Sequence, residues 1–121
     1  MLEALLAWSA IALAVTAPAR VSAPQITVLF FTASWCGPCR AVHRILDPYA
    51  RKKVVEVVEV DFDRAKPEAE RWGVEQIPVV IVLSDRGQVL LRADGASHET
   101  LRALESGLAE LIEKGRKRSP S

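Results

Sequence analysis

The sequence predicts an α/β domain with a central mixed β-sheet of about four strands, flanked by helices on both faces. Three observations carry that expectation. Apolar runs rich in β-branched residues alternate with stretches whose apolar residues recur at helical spacing. The turn sequence Asp85-Arg86-Gly87-Gln88 separates two of the β-type runs and makes them a hairpin. With 50% hydrophobic residues in 121, the chain can bury one core of about 90 ordered residues and no second domain.

Taken in order, Ile26-Thr27-Val28-Leu29-Phe30-Phe31-Thr32 reads as a buried strand, its β-branched and aromatic side chains suiting a sheet packed on both faces. A helix follows from Cys39, where Ala41, Val42, Ile45 and Leu46 share one face, and Pro38 is tolerated in a first helical turn. Pro48 is expected to bend or interrupt this helix near Arg44 to Asp47, because it removes a backbone donor. Val54 to Phe62 reads as a second strand, Ala65 to Trp72 as a short helix, and Val79 to Leu83 as a third strand. The hairpin leads into Val89-Leu90-Leu91. Ser97 can cap a last helix whose Leu101, Leu104, Leu108, Leu111 and Ile112 form an apolar stripe.

The chain's two cysteines stand in Trp35-Cys36-Gly37-Pro38-Cys39, at the junction of the first strand and its helix. Cys36 falls at the helix N-terminus, where unpaired N–H groups and the dipole favour a thiolate and should bring its pKa below the free value of about 8.5. That makes Cys36 a candidate nucleophile. Cys39, one turn further in, is the better shielded resolving thiol that closes a disulfide and expels a bound substrate. Two other readings of the pair are weighed against redox chemistry. A stapling disulfide across two residues closes too small a loop to restrict the unfolded chain much. A zinc site recruiting His43 and His98 would need spacings that match no common ligand pattern. The two histidines are otherwise read as ordinary helix residues with no part in the chemistry.

Trp35 to Cys39 resembles the active-site motif of the thioredoxin superfamily, WCGPC, at every position. A second segment, Trp72-Gly73-Val74-Glu75-Gln76-Ile77-Pro78 and the apolar run after it, is similar to the family's cis-proline loop and its following strand. The resemblance covers roughly residues 26 to 113 in order and spacing. It implies a thioredoxin-like fold with a cis Ile77-Pro78 bond lying against the cysteines. It also implies a peptide groove in which the Ile77 backbone pairs with an incoming chain, Trp35, Gly37 and Pro38 form an apolar patch, and Pro78 and Gly95 line the edge. A generic turn proline is the competing reading of Pro78.

Three positions depart from the family's pattern. Phe30 stands where many members carry a buried Asp that accepts the proton of the resolving cysteine, and Glu59 stands where they carry a lysine. Within Val57-Val58-Glu59-Val60 a carboxylate is unexpected, since burial without a partner is costly. Either Glu59 replaces the missing Asp as proton acceptor for Cys39, or it faces solvent at a sheet edge. Asp94, just before Gly95, stands where an apolar residue is usual; its charge either alters partner choice or is simply solvated, the second being favoured.

Residues 1–24 read as a leader, residues 25–114 as the folded domain, and residues 115–121 as a basic flexible tail. Leu5 to Val15 is strongly apolar and Ala17-Pro18-Ala19 has the small-x-small form of a signal-peptidase site. Glu3, and the lack of Lys or Arg ahead of the apolar run, argue against a signal peptide. A cleaved signal, an uncleaved anchor and a packing helix of a cytosolic protein all remain open. The main expectation is a periplasmic or extracytoplasmic location, with a cytoplasmic one as the alternative. A net charge of +1 and 6% aromatic residues give no basis for nucleic-acid binding.

The resemblance implies a thiol-disulfide oxidoreductase that reduces protein disulfides, since Gly-Pro between the cysteines is typical of reducing members. It needs no cofactor or metal beyond the Cys36–Cys39 disulfide, and it is expected to be a monomer. Its partners would be disulfide-containing client proteins and an upstream reductant, either a thioredoxin-reductase-type enzyme or a membrane thiol carrier. The alternatives are a membrane-tethered electron-relay domain and a non-catalytic peptide-binding or assembly module.

Overall fold

Ile26–Thr32 forms β1 at the centre of the sheet, and its alternation directs Phe30 to one face and Phe31 to the other, both with no exposed surface. The computed structural model describes residues 25–118. Along these residues the order is β1, α1 (Cys39–Ala50), β2 (Val55–Asp61), α2 (Lys66–Arg71), β3 (Val79–Ser84), β4 (Val89–Asp94) and α3 (His98–Arg118). The sheet runs β2-β1-β3-β4. The β1–α1–β2 crossover makes β1 and β2 parallel, whereas β3 is antiparallel to both β1 and β4.

Two apolar clusters fix the layers. Val28 and Phe30 of β1 meet Val42 and Leu46 of α1 and Leu104, Leu108 and Ile112 of α3, so α1 and α3 share one face. Phe31, Val79 and Ile81 meet Ala69 of α2 and Val74 on the opposite face. Val79, Val80, Ile81 and Val82 are all buried, as expected of an interior strand covered on both sides. Ser97 caps α3 as its sequence position suggests: its Oγ accepts the Thr100 N–H at 3.1 Å.

Two elements differ from the sequence expectation. Pro48 does not interrupt α1, which runs on to Ala50. Pro48 is exposed, the Arg44 carbonyl it leaves unbonded belongs to an exposed residue that water can reach, and Leu46 and Tyr49 on either side pack onto the core. The last helix continues through Lys114 to Arg118, so part of the segment assigned to the tail is helical, with basic residues at the end where the dipole favours them. Among the described residues β2 pairs only with β1, which puts Glu59 on an edge strand, as the second of its two readings has it. The leader expected at residues 1–24 and the final Ser119 to Ser121 lie outside the described residues.

Candidate active site

The end of β1 and the start of α1 bring the two cysteines together because only Gly37 and Pro38 separate them, about one helical turn. Their Cα atoms are 5.4 Å apart and their sulfurs form a disulfide. Cys36 is 6% exposed and Cys39 only 1%, the difference in shielding expected between an attacking and a resolving thiol. The backbone N–H of Cys39 donates to Cys36 Sγ at 3.2 Å, and the Cys36 N–H is itself tied to the Ala33 carbonyl at 3.1 Å. Cys36 Sγ thus accepts the first N–H of α1, an arrangement that stabilises negative charge on sulfur.

Among the described residues Trp35 is the most exposed large apolar side chain, at 64%, and its Nε1–H donates to Asp63 Oδ2 at 2.7 Å, which fixes the indole plane beside the cysteines. Gly37 and Pro38 are exposed next to it. On the other side, the Ile77-Pro78 bond is cis, and Ile77 packs against the apolar cluster that contains both cysteines. Gly95 adopts φ +89°, a conformation that favours glycine, and so points its N–H at the Pro78 carbonyl at 2.8 Å. A cavity of about 300 Å³ lies along this edge, lined by Gly73, Glu75, Ile77, Pro78, Asp94 and Gly95.

Asp94 is exposed and its carboxylate is held by Arg92, with Nε at 2.9 Å from Oδ1 and Nη2 at 3.2 Å from Oδ2. That hydrogen bond raises the Arg92 pKa above its ordinary value, against an opposing effect of burial. The same guanidinium donates to the carbonyls of Trp72 and Gly73, the residues that close α2 and open the cis-proline loop.

Glu59 points to the face of the sheet that α1 covers, where its Oε1 lies 3.1 Å from His43 Nε2. Its side chain is 54% exposed and that of His43 is 42% exposed. His43 is the residue that the sequence reading left without a role; the signal that could have found it is its i+4 spacing from Cys39 on the expected helix. Among the described residues no three of His, Cys, Asp and Glu are grouped to hold a metal ion.

The family profile described as Thioredoxin matches residues 18–109. The Thioredoxin H-type 1 of Nicotiana tabacum is 39% identical over 82 residues, 67% of this chain and 64% of that one. The mitochondrial Thioredoxin-2 of Schizosaccharomyces pombe is 35% identical over 86 residues, 70% of this chain and 64% of that one. The chain therefore spans about 64% of the length of these relatives. Among solved structures, thioredoxin from Trypanosoma brucei brucei superposes with a TM-score of 0.63 at 30% identity, covering 76% of this chain and 79% of that one. The germline-specific thioredoxin Deadhead of Drosophila gives 0.62 at 29% identity, over 72% of this chain and 81% of that one.

These relatives correct one expectation. They are H-type thioredoxins of plants and a thioredoxin named as mitochondrial, none of them named as exported, so the periplasmic or extracytoplasmic location does not stand. No helix among the described residues is long and apolar enough to cross a membrane. The expectation rested on the hydropathy of Leu5 to Val15 and the small-x-small form of Ala17-Pro18-Ala19, and neither by itself carries an address. Motif, cis-proline loop, strand order and matched profile agree, and the chain belongs to the thioredoxin family.

Proposed function

We propose that this chain reduces protein disulfides through a Cys36–Cys39 dithiol/disulfide cycle. The observation that carries the reading is the Cys36 Sγ held by the Cys39 N–H at the start of α1, with Cys39 behind it nearly inaccessible. The Cys36 thiolate attacks one sulfur of a client disulfide; a Cys36–client disulfide forms and the first client thiolate leaves. Cys39, deprotonated, then attacks Cys36 Sγ, the Cys36–client bond breaks, and the second client thiol is released. The client disulfide gains two electrons and the cysteine pair loses two, which a reductase partner must return.

Clients would dock between the Trp35 indole and the Ile77–Pro78–Gly95 edge, with the extended client backbone against Ile77. Trp35, Gly37 and Pro38 supply apolar contact there. The test is reduction of insulin disulfides with dithiothreitol as electron source. Turnover by the parent chain and none by Cys36→Ser is the expected result, and Cys39→Ser should accumulate a covalent mixed disulfide visible by intact mass. Turnover that survives loss of both cysteines would sink the proposal.

A further inference from the structure

The resolving step requires Cys39 to lose a proton, and the side chain beside it on β1, Phe30, cannot take one. Phe30 is wholly buried and its ring meets the edge of the His43 ring at a centroid distance of 4.8 Å. His43 follows Cys39 by four residues on α1, which places their Cβ atoms about 5–6 Å apart. Helical side chains lean toward the preceding turn, so the imidazole is carried toward Cys39.

The tautomer follows from the partner. Glu59, a carboxylate that can only accept, sits 3.1 Å from Nε2, so Nε2 carries the hydrogen and Nδ1 is left as an acceptor. Next to the pair is a second cavity of about 300 Å³, lined by Thr32, Ala33, Ser34, His43, Glu59 and Asp61. Its hydroxyls and carboxylates can hold several waters, and Ala33 is the residue whose carbonyl receives the Cys36 N–H. The charged and titratable groups facing His43 are Glu59 and Asp61 from β2, while β1 offers Phe30 and Thr32. From α3, Leu104, Leu108 and Ile112 join the same cluster and carry no charge; on α1 itself Arg40 and Asp47 are at helical-neighbour spacing.

We infer that His43, oriented by Glu59, receives the proton of Cys39 when that thiol attacks the mixed disulfide. The inference rests on the dithiol cycle proposed above. The proton passes from Cys39 Sγ to His43 Nδ1, directly or through one bridging water, and the imidazolium formed is stabilised by the Glu59 carboxylate. The Cys39–Cys36 bond forms, the Cys36–client bond breaks, and the departing client thiolate is protonated from the imidazolium through solvent. Glu59 is a positioning residue in this scheme.

The reduced full chain mixed with an aromatic disulfide reagent, dithiobis-nitrobenzoate, releases one coloured thiolate when Cys36 attacks and a second when Cys39 closes the ring. His43→Gln is expected to leave the first phase within about twofold and to slow the second about tenfold near pH 7, below the ~100-fold low end of general-base effects because the group is half-exposed. The slowing should shrink at alkaline pH, where hydroxide takes the Cys39 proton without His43. Glu59→Gln, a surface change that does not threaten the core, should slow the second phase about threefold. A second phase equal to the parent's in both variants, or a slowing that is the same at every pH, would overturn the assignment. A parent chain that shows no second phase and does not reduce insulin would instead overturn the oxidoreductase reading.

Discussion

Replacing Arg92 by Met tests whether the groove edge is held from β4. The substitution keeps the apolar stem and removes four hydrogen bonds: two to the carbonyls of Trp72 and Gly73 and two to Asp94. Those carbonyls stand at the end of α2, where the helix has no partners of its own for them. Trp72 is half-buried and Gly73 exposed, so in the variant water can reach both carbonyls, and the net value of each charge-assisted bond applies instead of a full desolvation penalty. At about 1 kcal/mol each, with about 0.5 kcal/mol for an ion pair whose arginine is a third exposed, the loss is about 2.5 kcal/mol. For a domain of this size that lowers Tm by roughly 10–20 °C. The raised Arg92 pKa means its stabilisation is fully present below the unfolded-state value and is lost only as pH climbs through the higher folded one, so the effect should be constant over ordinary pH. Thermal unfolding followed by circular dichroism measures it, with Arg71→Met as control. Arg71 only stands over the Trp72 ring at 6.0 Å, so its replacement should cost less than about 0.5 kcal/mol. Arg92→Lys should recover at most about half, because an ammonium lacks the fork that reaches two carbonyls and a carboxylate together. An Arg92→Met chain that unfolds within about 3 °C of the parent would refute the clamp.

Three further outcomes are expected from local geometry. Pro48→Ala restores a donor to the Arg44 carbonyl inside α1 and should raise stability by about 1–2 kcal/mol after the entropy gained by the unfolded chain is subtracted, read as a higher urea midpoint at unchanged slope. Gly95→Ala should destabilise by about 1–2 kcal/mol through φ +89° alone, since an added Cβ meets nothing within 4 Å; thermal unfolding gives the value, and a neutral result would mean that the turn can relax. Leu108→Ala, at a position with no exposed surface between α3 and the sheet, should cost about 2–5 kcal/mol by chemical denaturation.

The sequence made the sheet legible because the signal was local. Ile26–Thr32 is uninterrupted by breakers, its neighbours alternate cleanly, and the structure starts and ends β1 at those residues. The cysteines and the Ile77-Pro78 bond were equally legible, since spacing and a family resemblance located both and the fold brings Ile77 to the cluster around Cys36 and Cys39. Glu59 and His43 were not. Their meeting depends on the register Phe30↔Glu59, which turns Glu59 to the α1 side, and on the rotation of α1, which turns His43 to the same place. Neither quantity is written in a strand's own residues; each is set by packing between elements, and together they join two residues 16 apart in the chain. Pro48 misled for the opposite reason: the local rule was sound, but an exposed prolyl ring near the end of a helix anchored by Leu46 and Tyr49 does not end it.

Phe30, His43 and Glu59 have one explanation together that none has alone. A carboxylate at position 30 would sit at zero exposure among Val28, Val42 and Leu108, and keeping it ionised there would oppose folding. Phe30 removes that cost and adds apolar contact at the centre of the larger cluster. The proton of Cys39 must then leave by another route, and the His43–Glu59 pair, half-exposed and opening on a polar cavity, offers one that leads to solvent. An interior acceptor couples proton movement to a buried charge. An acceptor at the rim couples it to water and salt, so the resolving step should respond to ionic strength through Glu59 and Asp61 while the stability of the core does not.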